Sequence, residues 1–263
     1  MFNLQVLKYK KIGCCHDENT LTFKGVLFFQ NLPEVYMLLV AAATENEIQP
    51  LKQFLSDSEQ FEVLVTGIGP VEAAANLSNY LALHRSNIHG VINIGVGGAY
   101  VGSGLNLLDI CLAQQEVFGD FGISLHDEIL DFEPGLSQLS SPLLFNNELV
   151  SDIKNILRAQ DVEFDVANFV TVNCCSGTNK RGEYLRKKFA AGCENMEGAA
   201  VVMVCNTFEI PCVELRCISN LVEDRNTANW MLEDAIDEMC CVAEAVLDEY
   251  RSQVISKVKS NTI

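Results

Sequence analysis

From Met37 onward, short apolar runs alternate with segments of helical spacing, and nearly every apolar run ends in glycine or in a polar residue able to do chemistry. This alternation restricts the possible folds more than any other feature of the chain. The runs Met37–Ala43, Phe61–Thr66, Gly90–Ile94, Leu107–Val117, Val162–Val172 and Pro211–Ile218 read as strands. Helices are expected over Glu45–Leu55, from Pro70 onward, and over Asn147–Leu157, Asn179–Phe189, Met196–Phe208 and Ala228–Arg251. Gly119–Pro142 reads as an irregular excursion. Strands that are apolar on both faces need helices on both sides. The expected fold is therefore a single-domain three-layer α/β sandwich, with a central mixed, mostly parallel sheet flanked by helices. In such sheets ligands sit beyond the carboxyl ends of the strands.

Charge removes several function classes. The 263 residues include 18 Lys and Arg against 35 Asp and Glu, a formal net charge of −17. Such a surface does not bind a nucleic-acid backbone by counterion release. No apolar run reaches the length of a membrane span, so no membrane partner is expected. The 11 cysteines include no CxxC pair, and only four histidines accompany them. They read as reduced thiols in a cytoplasmic setting, with no metal site. Residues 1–36 carry four lysines against three acidic residues and lack a signal-peptide pattern. They are expected to be a disordered N-terminal extension or a start-site artefact, with Met37 as the natural start and 37–263 as the domain.

The polar residues at strand ends leave alternatives open. Gly95-Val96-Gly97-Gly98 fails the dinucleotide fingerprint, because the third glycine would fall on Tyr100. The glycines make a tight turn, a close packing contact, or a cradle for an anion or sugar. There is no GxxxxGK[ST], GxSxG or HExxH. Glu45 and Glu47 follow the first strand, either as helix N-terminal charges or with one as a general base. Glu194-Asn195-Met196-Glu197-Gly198 places two carboxylates before an apolar helix, where burial demands partners such as sugar hydroxyls. Asn220 is either a cap or a group that hydrogen-bonds a heterocycle. His126-Asp127-Glu128 reads as a solvated loop.

Five segments occur in a telling order: Ala42–Glu47, Thr66–Pro70, Asn93–Gly98, Glu194–Ala200 and Arg216–Asn220. Together they resemble the purine nucleoside phosphorylase and methylthioadenosine nucleosidase superfamily over Met37–Tyr250. Ser176-Gly177-Thr178 with Arg181, Ile218–Val222 with Arg225, Trp230, and Phe118-Gly119-Asp120 with Gly122 make the chain most similar to the superfamily's futalosine-hydrolysing branch, which serves an alternative menaquinone route. The resemblance implies hydrolysis of a nucleoside's N-glycosidic bond without a cofactor, in a homo-oligomer. It implies that Glu47 activates water, Met196 lies under the sugar and Glu197 binds the ribose hydroxyls. It further implies that Gly97, Gly98, Ser176, Thr178 and Arg225 contact the substrate. Asn220 stands where adenine-specific relatives carry aspartate, which suits a 6-oxopurine such as hypoxanthine. Arg181 and Arg225 are candidates for holding a substrate carboxylate. The sequence departs from the pattern at Leu108, where relatives carry glycine before the aspartate, and at Val96, where methylthioadenosine nucleosidases carry serine.

Three alternatives stay in view. A phosphorylase would need cations beside the ribose, and Gly67–Val71 has none. A methylthioadenosine or adenosylhomocysteine nucleosidase is disfavoured by Asn220. A non-catalytic nucleoside-binding protein is disfavoured by Glu47 and Glu197 occurring together.

Overall fold

A computed structural model describes residues 37–126 and 128–260. The expectation for residues 1–36 lies outside these. The strands are β1 (Met37–Ala42), β2 (Phe61–Val65), β3 (Ile88–Tyr100), β4 (Ile110–Phe118), β5 (Ile123–Leu125), β6 (Glu128–Leu130), β7 (Leu143–Leu144), β8 (Asp165–Thr171), β9 (Ala191–Asn195) and β10 (Cys212–Val222). The helices are α1 (Glu45–Ile48), α2 (Lys52–Ser56), α3 (Pro70–His84), α4 (Glu148–Ala159), α5 (Asn179–Phe189), α6 (Gly198–Thr207) and α7 (Leu232–Ser260). The sheet is mixed and mostly parallel, with helices against it, as the alternation implies. Parallel pairs join β1 to β2 and β3, β3 to β10, β4 to β8, and β8 to β9. Antiparallel pairs join β10 to β4 and β3 to β9.

These pairings close a ring that alternation alone does not reveal. Running β3–β10–β4–β8–β9, the sheet returns to β3, with β1 and β2 extending it on one side. The closure rests on the length of β3. Its first half pairs with β1, while Gly98 and Ala99 near its end pair with Glu194 and Cys193 of β9. The glycine cluster is thus strand rather than a turn. Its missing side chains leave room for neighbours: a Cβ on Gly95 would sit 2.6 Å from both Arg216 Nη1 and Glu47 Oε1.

Local chemistry accounts for the element ends. Thr44 and Glu47 form a capping box that starts α1. Pro50 lies in a 3-10 turn between α1 and α2, interrupting the single helix expected there. Leu108 keeps the turn before Asp109 in a left-handed conformation (φ 69°), which glycine adopts more cheaply. The excursion after β4 contains the β5–β6 hairpin, where Ile123, Leu125 and Leu130 are exposed. His126 and Glu128, from the polar triplet, are also exposed. The core of aliphatic side chains from β1, β3, β10, α3, α4, α6 and α7 includes Cys111, Cys193, Cys205, Cys212, Cys217 and Cys240. All nine cysteines among the described residues are unpaired. No helix among them is long and apolar enough to cross a membrane.

Candidate active site

A cavity of about 370 Å³ opens at the carboxyl ends of β1, β3, β9 and β10. Its lining brings together Glu47, Gly97, Gly98, Ser176, Met196, Glu197, Asn220 and Arg225. These eight residues come from segments spread over most of the described chain. Thr178 lies elsewhere: its hydroxyl accepts from Arg181 N (3.2 Å) and caps α5, so it holds a helix rather than facing the cavity. Arg181 is also outside, paired at 3.5 Å with Asp120.

Glu47 is 8% exposed and serves two structures at once. Its Oε2 accepts from the backbone N and hydroxyl of Thr44, at 3.0 and 2.9 Å, completing the capping box. Its Oε1 accepts from Val96 N (3.2 Å) on β3. The capping role and the cavity-facing role, alternatives in the sequence, therefore coexist. Three donors leave the carboxylate little freedom to turn, which is what a positioned base requires.

Glu197 begins α6 from the opposite wall. Its Oε1 accepts from Gly69 N (3.0 Å), and Oε2 lies 3.7 Å from Arg216 Nη2. Burial raises its carboxyl pKa, against the opposing pull of Arg216 and the Gly69 N–H. Met196 closes the floor, with the Cys175 thiol 3.1 Å from its sulfur. Burial, then the nearby Glu194, pushes that thiol up from its ordinary range, so it stays protonated at neutral pH. Ser176 lines the cavity while its backbone N and hydroxyl donate to Glu194 at 2.7 and 2.6 Å. Glu194 also accepts from Tyr100 OH (3.0 Å). On the last wall, Asn220 Oδ1 lies 3.0 Å from the Ser219 hydroxyl, and Arg225 stacks on Trp230, 4.7 Å from the ring centroid.

Arg216 is the residue that sequence reasoning left without a role. It is 1% exposed, and it is the one buried cation among the described residues. Its Nε donates to Glu214 (2.9 Å) and Nη1 to the Val96 carbonyl (3.3 Å). Burial alone would lower its pKa, but Glu214, Glu197 and Glu47 more than offset this and hold the guanidinium charged. Glu214 and Arg216, opposite charges two residues apart inside the apolar run Cys212–Ile218, were the available signal.

Residues 57–250 match the family "Phosphorylase superfamily". The chain belongs to the phosphorylase superfamily. Within that superfamily it falls among the nucleosidases. It is 30% identical to futalosine hydrolase of Thermus thermophilus over 196 residues, covering 72% of this chain and 82% of the relative. It is 28% identical over 172 residues to a 5'-methylthioadenosine/S-adenosylhomocysteine nucleosidase of Geobacillus, covering 64% and 71%. The fold matches the structure of a futalosine hydrolase mutant of Helicobacter pylori with a TM-score of 0.71 and 22% identity, over 81% of this chain and 99% of that one.

Proposed function

We propose that this superfamily member hydrolyses the N-glycosidic bond of futalosine, releasing hypoxanthine and dehypoxanthine futalosine in menaquinone biosynthesis. The observation that carries this reading is Asn220 standing in one cavity with Glu47 and Glu197. Its amide NH₂ can donate to N7 or O6 of a 6-oxopurine, which offers only acceptors on that edge. Glu197 accepts from the ribose hydroxyls above Met196. Glu47 takes a proton from the attacking water as the sugar gains oxocarbenium character. The two carboxylates also stabilise the positive charge that develops on the ring. Asn220 supports the departing base by hydrogen bonding rather than by acid protonation. Arg225 is the one cation lining the cavity among the described residues, and it would hold the substrate's aryl carboxylate while Trp230 packs beside the ring.

Arg225→Ala is expected to raise KM for futalosine about tenfold or more with a smaller change in kcat, the loss of a charge-assisted contact. Steady-state kinetics check this, and an unchanged KM removes Arg225 from the carboxylate role. Asn220→Asp should slow futalosine cleavage and raise kcat/KM on methylthioadenosine, because a protonated carboxyl suits an aminopurine. Equal specificity in both proteins would show that Asn220 does not select the base.

The reading as a whole is tested by chromatography of futalosine digests with and without phosphate. Equal hypoxanthine release in both buffers supports the hydrolase. Phosphate-dependent release moves the protein to the phosphorylases, and cleavage of methylthioadenosine alone moves it to the other nucleosidases. A working homo-oligomer is proposed on the same resemblance, and sedimentation of the purified chain tests it.

A further inference from the structure

Beneath the cavity lies a second group of carboxyls that the reaction does not use. Glu116 on β4 and Glu214 on β10 are both fully buried. Each reaches the same point: a Cβ on Gly198 would meet Glu116 Oε1 at 2.2 Å and the two Glu214 oxygens at 2.4 and 2.5 Å. The described residues bury five glutamates, Glu47, Glu116, Glu194, Glu197 and Glu214, against one arginine. Two carboxylates this close and inaccessible to bulk solvent cannot both be charged.

Their contacts run to Glu197 by two routes. Glu214 holds Arg216 Nε, and Arg216 faces the Glu197 carboxylate. Glu116 accepts from the Asn195 amide, whose Oδ1 in turn accepts from the backbone N of Glu197 (3.0 Å) and Gly198 (2.8 Å). The Thr171 hydroxyl braces the second route, 2.9 Å from Glu116 and 3.0 Å from Asn195 Oδ1.

We propose that Glu116 and Glu214 share one proton, with Glu116 as donor and Glu214 as carboxylate, and that the pair positions Glu197 through Arg216 on one side and Asn195 on the other. The division of roles follows from the neighbours. Glu214 bonds directly to Arg216, the one buried cation among the described residues, and so keeps the charge, while Glu116 takes its hydrogen bonds from the neutral Asn195 and Thr171 and keeps the proton. Burial first, and then mutual repulsion, raises the Glu116 carboxyl well above the ordinary range; burial raises the Glu214 carboxyl too, but there Arg216 and then the hydrogen bond from Glu116 pull back toward the charged form. The other ionisable groups facing the pair are Arg216 and Cys212 on β10, Cys193 on β9, Tyr100 on β3, Cys111 on β4 and Glu197 at the head of α6. Burial holds Cys111, Cys193 and Tyr100 neutral, and the hydrogen bond with Cys205, then burial, does the same for Cys212, so Arg216 is the sole cation that Glu214 meets among the described residues.

The proposed role in positioning Glu197 rests on the nucleosidase reading; the shared proton does not. Kinetics test the first. Glu116→Ala should lower kcat about tenfold or more with KM little changed, and Glu116→Gln should restore most of it, because an amide still donates to Glu214. Glu214→Gln should not restore the loss seen in Glu214→Ala, because Arg216 needs the charge. Equal rescue, or equal failure, at both positions overturns the assignment.

Two readouts need no substrate. Infrared spectra of the wild-type protein at pH 8 should show an un-ionised carboxyl band, retained in Glu197→Gln and lost in Glu116→Gln. Absence of the band from the folded wild-type protein overturns the shared proton even if every variant at these positions fails to fold. The folded pair also holds a proton that the unfolded chain releases. Stability should therefore fall as pH rises from the ordinary carboxyl range through the pair's raised one, and this slope should flatten in Glu116→Gln. An unchanged slope counts against the pair.

Discussion

Glu47→Gln should fold as the wild type does and lose nearly all turnover. Removing a positioned general base typically costs about 10²–10⁴-fold in rate. The structure explains why the chemical loss should outweigh the structural one. Glutamine is isosteric, and its side-chain oxygen can still accept from Thr44, whose N and hydroxyl now bond Glu47 Oε2. The amide nitrogen would then face Val96 N, where Oε1 now accepts at 3.2 Å. That donor–donor contact costs about 1–3 kcal/mol, well below the stability of an ordinary domain. The variant should therefore keep a cooperative thermal transition near the wild-type one and still bind a non-hydrolysable nucleoside. Calorimetry of binding beside single-turnover cleavage separates these effects. Turnover within about tenfold of wild type would mean that water is activated elsewhere in the cavity.

What the sequence made legible was the strand-end chemistry. Glu47, Glu197 and Asn220 each follow or close an apolar run, and parallel strands bring such ends together, so their meeting in one cavity follows from the alternation. The ring closure was not legible, because it depends on β3 continuing through Gly95–Gly98. A glycine cluster after an apolar run carries the same signal whether the chain turns or continues with its neighbours packed close. Thr178 illustrates a related limit. Its position after β8 is that of a ligand contact, yet threonine is also a helix cap, and only α5 starting at Asn179 distinguishes the two. Arg216, Glu116 and Glu214 were missed for a different reason. They are charged residues inside strands, where alternation assigns them to solvent. The helices covering both faces of this sheet place them in the core instead; Glu214 and Arg216 pair within β10, but Glu116 comes from β4 and Glu197 from the head of α6, far apart in sequence.

Gly198→Ala should be the most destabilising single-methyl change at a glycine in the site. Alanine is normally the better residue inside a helix, by about 1 kcal/mol over glycine. Here the added Cβ would meet three carboxyl oxygens of Glu116 and Glu214 at 2.2–2.5 Å. Those side chains cannot swing aside without breaking the bonds to Asn195 and Arg216 inside a solvent-inaccessible core. The expected cost is at least about 3 kcal/mol, from overpacking together with lost buried polar contacts. That corresponds to a fall in Tm of roughly 6–12 °C for a domain of this size. Gly135→Ala provides the contrast. That glycine has φ 85° with no atom within 4 Å of its would-be Cβ, so only backbone strain of about 1–2 kcal/mol applies. If the clash with the carboxyls is the cause, adding Glu116→Ala to Gly198→Ala should recover part of the loss, and a double-mutant cycle by urea denaturation would show favourable coupling. Strictly additive losses would place the penalty in the backbone of α6 rather than in the acid pair beneath it.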